Sequence, residues 1–152
     1  MRKTDLGSNV KCERAADNTA LVAAGTGDNT AVTGVIIDRA SYKYPQSMVA
    51  SLSWQAVLAA SKKLTMKSVV IEHGDASNLS DAANYVAPAD VDVKVDGGSG
   101  GTYRGAQEYN VDLSAAKRYI RLKYTPDLNA SGTDTAEVAA QFIFGGFGVL
   151  PQ

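Results

Sequence analysis

Hydrophobic and polar residues alternate most regularly between positions 117 and 125. Arg118, Ile120, Leu122 and Tyr124 fall on one side of an extended chain, with Lys117, Tyr119, Arg121 and Lys123 on the other. A strand with one apolar side needs a second layer to cover it. The same stretch, 101–152, carries two further strand patterns, at 103–112 and at 136–144. Upstream, VTGVIID (32–38), MVASLSW (48–54), LTMKSVVIEH (64–73) and DVDVKVD (90–96) have strand character. In the last of these Val91, Val93 and Val95 face inward, and Asp90, Asp92, Lys94 and Asp96 outward.

The connections are equally plain. Pro45 lacks a ladder donor and pushes Tyr44 towards an extended conformation, so 42–45 is a linker. QAVLAAS (55–61) has helical propensity, but Lys62-Lys63 and the strand that follows argue for a turn. The segment 74–87 is polar and irregular, with one helical turn expected over 79–85. GGSGG (97–101) reads as a turn. A small motif recurs: Asp17-Asn18-Thr19-Ala20, Asp28-Asn29-Thr30-Ala31 and, more loosely, Asp134-Thr135-Ala136. Each is a turn-forming start to a strand.

These elements predict an all-β fold, a two-sheet antiparallel sandwich of jelly-roll type. Residues 18–152 form the sandwich with a C-terminal tail. Residues 1–17, polar and without periodicity, form an extended N-terminal arm expected to be ordered by a neighbouring subunit.

Composition changes this picture little. At 152 residues, 45% of them hydrophobic, the chain suffices for one domain with a real core. A net charge of −1 makes no general case for nucleic acid or membrane surfaces. The N-terminus has no apolar run of the secretory kind, and no apolar run is long enough to span a bilayer as a helix. Cys12 is the single cysteine, so no internal disulfide is available and a reducing compartment is expected.

Candidate chemistry is sparse. His73 is the only histidine, and no nucleophile motif accompanies it, so no catalytic residue is assigned. Asp90, Asp92 and Asp96 before Gly97 suggest a calcium loop, but alternation with valine spreads them along a strand and Lys94 takes a ligand position. The glycine run lacks the Lys-Ser/Thr of a phosphate loop. No cofactor or metal is expected. What remains is surface. Tyr119, Arg121 and Lys123 form a basic, aromatic face that reads as a solvated sheet face or a protein interface, with single-stranded nucleic acid or glycan as lesser readings. Phe147, Val149 and Leu150 form an apolar tail that either packs under its own domain or docks on a partner.

The runs WQAVLAA (54–60), GTYRG (101–105), VDLSAAKRYIR (111–121) and TPDLNASGTDTA (125–136), with the terminal Leu150-Pro151, resemble capsid decoration (cement) or minor capsid proteins of tailed bacteriophages. The likeness extends from about Leu21 to the end and consists of turn and strand signatures. It implies a β-sandwich made in the bacterial cytoplasm and carried on the virion surface. The implied partners are the major capsid protein and further copies of the chain, as a trimer or dimer. A tail or head–tail joining protein fits the same likeness. From a different class, a carbohydrate-binding module would use Trp54 and the tyrosines as stacking platforms.

Overall fold

A computed structural model describes residues 7, 9–94, 99–129 and 132–147. Among these residues ten strands follow in order: β1 (Lys11–Val22), β2 (Val32–Thr33), β3 (Ile37–Asp38), β4 (Ser47–Leu58), β5 (Lys63–Gly74), β6 (Ala83–Val86), β7 (Val91–Lys94), β8 (Gly101–Asp112), β9 (Tyr119–Leu128) and β10 (Thr135–Gly145). They form two antiparallel sheets. One has the order β1-β10-β4-β8. The other has the order β2-β9-β5-β6, with β3 also pairing β9 and β7 also pairing β5.

This order has a simple logic. The first strand pairs with the last, and the short β2 and β3 with the last but one. Further in, β4 pairs with β8, and β5 with β6 and β7. The chain is a long hairpin wound around its own core, which is the jelly roll. Period-two alternation drives it. Along β9, Ile120, Leu122, Tyr124 and Leu128 are buried while the intervening side chains are partly exposed. Along β10, Ala136, Val138, Ala140, Phe142 and Phe144 do the same. Leu52 from β4 and Leu64, Met66 and Ile71 from β5 fill the space between the sheets. The interior is therefore packed solid with side chains.

Several boundaries differ from the sequence expectation. Lys11–Asp17, expected within an arm, is the first half of β1 and pairs with β10. Its inward residues are the small Ala15 and Ala16, both buried, which leave no conspicuous apolar pattern. The strand expected at 32–38 is split into β2 and β3. Between them the chain crosses towards the other sheet, with Gly34 N–H donating to the Leu122 carbonyl at 2.8 Å and Val35 N–H to the Ala15 carbonyl at 2.8 Å. Gln55–Leu58 continue β4 instead of belonging to the expected turn, because β8 and β10 flank the strand. The helical turn expected at 79–85 is a turn around buried Leu79, whose φ is 53°, and then β6.

The recurring aspartates act as latches. Asp28 accepts from Leu128 N–H and Ala24 N–H, both at 2.7 Å. Asp134, 5% exposed, accepts from Ala59 N–H with both oxygens at 3.1 Å. Asp17, in the first copy, instead meets Arg14 on the surface.

Candidate interaction surface

The outward side of β9 presents Tyr119, Arg121 and Lys123 together, as the alternation requires. It is not the bare basic stripe that the sequence suggests. Glu72 of β5 lies directly across from Arg121 in the ladder. One Glu72 oxygen accepts from Arg121 Nε at 2.6 Å and the other from Lys123 Nζ at 3.3 Å. Burial alone would raise the Glu72 pKa. The two cations outweigh it and hold the carboxyl below its ordinary value.

The neighbouring cations are treated alike. Lys67 pairs with Asp127 at 2.6 Å, and Lys117 lies 3.2 Å from Asp75. Arg118, expected on the apolar side, is exposed because β9 begins only at Tyr119. It grips Asp38 with two bonds of 2.9 and 2.8 Å and lies over the Tyr119 ring at 5.0 Å. That bidentate bond is the main reason why the Asp38 pKa falls below its usual value. The face is thus a charge-balanced, ion-paired surface. A shallow depression of about 230 Å³ opens beside Glu72, Lys123 and Asn84.

The other candidates fall elsewhere. Phe147 follows β10, a strand of the other sheet, and is half-buried against the core. Val149 and Leu150 lie outside the described residues, as does Asp96. Asp92 bonds Lys63 Nζ and Thr65 Oγ1, each at 2.7 Å, and Asp90 accepts from Ser68 N–H at 2.7 Å. These two carboxylates serve the main chain and neighbouring side chains of β5. His73 accepts from Lys117 N–H through Nδ1 at 3.2 Å, and its ring lies 4.8 Å from that of Tyr85. Burial first, and then the Lys117 charge, lower its pKa. With Nδ1 taken by a main-chain donor, no carboxylate orients the ring through that atom.

Trp54 faces inward and packs on the core, half-buried. Opposite it stands Gly105, where an added Cβ would come within 2.9 Å of Trp54 Cζ2. The indole therefore lies over the glycine backbone of β8 and is not a free stacking platform.

Sequence reasoning missed Arg39, which is 2% exposed. It donates through Nη1 to the carbonyls of Ala116 and Lys117 and through Nη2 to those of Pro45 and Leu113. Nothing in the pattern around Asp38-Arg39 distinguishes it from a solvated surface pair.

No protein-family model matches the chain, and no curated protein matches its sequence. Among solved structures it is similar to infectious bursal disease virus Gx strain, with a TM-score of 0.47 and 11% identity over 93% of this chain and 34% of that one. It is also similar to the infectious bursal disease virus VP2 subviral particle, with a TM-score of 0.48 and 12% identity over 90% of this chain and 32% of that one. The chain spans about a third of the length of these two structures.

Proposed function

We propose that the chain is a structural virion protein that decorates a tailed-phage capsid, binding a shell of major capsid protein and bridging neighbouring subunits. The observation that carries this reading is the jelly-roll strand order, an architecture used by viral capsid and lectin domains. A fold does not fix a function. The resemblance at 54–60, 101–105, 111–121 and 125–136 to phage decoration proteins favours the virion over the lectin, and the inward-facing Trp54 counts against sugar stacking. Because the interior is filled by Leu52, Leu64, Met66, Ile71 and Phe142, a partner is met at the outer surface.

The shell contacts we assign are the Tyr119–Arg121–Lys123 face and the segment holding Phe147, Val149 and Leu150. Many weak contacts repeated on a symmetric lattice add up through multivalency. The test is co-sedimentation of the purified chain with assembled shells of the major capsid protein encoded in the same genome. Saturable binding that raises the shell's resistance to heat is expected. Absence of binding to shells would sink the decoration role, and binding to purified tails instead would move the chain to a joining role.

A further inference from the structure

Strand β8 is a long edge that no strand of the described residues covers, although the Glu108 carbonyl accepts from Gln107 Nε2 at 3.1 Å and the Asp112 carbonyl from the Tyr85 hydroxyl at 2.6 Å. It runs for 12 residues, pairs with β4 in unbroken register, and bonds to no strand on its far side among the described residues. A free edge is a template for another strand, and proteins ordinarily blunt it with bulges, proline or lysine. The opposite edge of the same sheet, β1, is blunted. Its register breaks between Arg14 and Ala16 and again between Ala16 and Thr19, and Val35 N–H occupies the Ala15 carbonyl. Strand β8 has no bulge, no proline and no lysine.

About Ala106 its charges are self-complementary, with Arg104 two positions before and Glu108 two positions after. If a second copy lies antiparallel with Ala106 opposite Ala106, Arg104 stands across from Glu108 at two symmetric places. Tyr103 then stands across from Tyr109, and Thr102 across from Asn110. Arg104 and Glu108 are exposed and point to the same side of the strand. Four residues apart, they are separated by about 13 Å within one chain, too far to pair. Arg104 Nε bonds Gln55 Oε1 at 2.7 Å, which leaves its terminal nitrogens for a carboxylate. Directly opposite positions on paired strands bring such side chains to about 5 Å. We propose that the chain forms a two-fold dimer by antiparallel pairing of β8 with β8 of a second copy, joining their four-stranded sheets into one. This pairing does not depend on the virion role.

The test is sedimentation equilibrium of the purified full chain, with circular dichroism to confirm folding of each variant. The wild type is expected to be a dimer. Arg104→Glu and Glu108→Arg each oppose like charges twice and should raise the dimer dissociation constant by about ten-fold or more. Mixing the two variants should restore dimers, since one chain then presents two carboxylates and the other two guanidinium groups. Register is tested separately in a Cys12→Ser background. Ala106→Cys should cross-link across the axis on oxidation, and Arg104→Cys alone should not. A monomer at all concentrations, a dimer indifferent to both charge changes, or failure of the Ala106→Cys cross-link would overturn the proposal.

Discussion

Arg39 Nη2 donates to the carbonyl of Leu113 at 2.8 Å, joining residues 74 positions apart. The same guanidinium reaches Pro45 on the linker before β4 and Ala116 and Lys117 on the linker before β9. The Arg39 main chain joins in, its N–H donating to the Arg118 carbonyl at 3.0 Å and its carbonyl accepting from Tyr44 N–H at 3.0 Å. Among the described residues, no carboxylate bonds this side chain. One buried cation is solvated by main-chain carbonyls, and it ties two connections into one end of the sandwich.

Replacing Arg39 by leucine should therefore leave several buried carbonyls without donors. The expected loss is about 3 kcal/mol, a fall in Tm of roughly 6–12 °C for a chain of this size. Arg39→Lys should recover only part, because a point charge cannot fork to carbonyls on both linkers. Thermal denaturation of both variants checks this. Equal Tm values for wild type and Arg39→Leu would contradict the clamp.

The Glu72 pair predicts a pH signature. Its folded pKa lies below the ordinary value of 4.5, so it adds stability above that pH and loses it as pH falls through the folded value. Glu72→Gln should cost about 1–2 kcal/mol at pH 7, since Arg121 and Lys123 then lose a largely buried carboxylate. The difference from wild type should shrink as pH is lowered from 7 to an acid pH below the folded value. Urea denaturation at the two pH values reads it. A deficit that persists undiminished in acid would mean that packing, not charge, is responsible.

These two residues also mark what a sequence can show. Alternation in β9 and β10 is legible because each strand buries one side and wets the other, and the apolar runs of β4 and β5 stand out for the same reason. From those patterns the all-β sandwich follows. Register does not. Glu72 meets Arg121 across 49 positions, and only the finished ladder between β5 and β9 shows that the basic side carries its own acid. Burial of polar or small residues is hidden as well. Arg39 looks like a surface residue, and Ala15 and Ala16 give β1 too little apolar bulk to be distinguished from an arm.

Gly34 should be hard to replace. It sits where the chain crosses between β2 and β3, and an added Cβ would overlap the Ala15 carbonyl oxygen and lie 2.7 Å from that of Leu122. Both obstacles are main chain, so neither can rotate away. Gly34→Ala should cost about 3 kcal/mol or more and lower the soluble yield. Gly132, with open space around it, offers a control. Its φ of 118° still disfavours alanine, so a loss of about 1 kcal/mol is expected there. Denaturation midpoints of the two variants should separate accordingly.

Tyr124 predicts the opposite sign. It is 1% exposed on the inward side of β9, and its hydroxyl has no hydrogen-bond partner among the described residues. Burial drives its pKa up to about 12. Thr19 pulls the other way, but no atom of the described residues stands at hydrogen-bonding geometry to the phenol oxygen. A buried hydroxyl without a partner carries a desolvation cost and returns nothing. Removing it keeps the ring that packs between the sheets. Tyr124→Phe should therefore be neutral or raise stability by up to about 1 kcal/mol, whereas Tyr124→Ala, which also empties the ring's volume, should cost about 3–5 kcal/mol. Chemical denaturation of the pair separates the two contributions. A clear loss in Tyr124→Phe would show that the hydroxyl has a partner in solution, such as an ordered water.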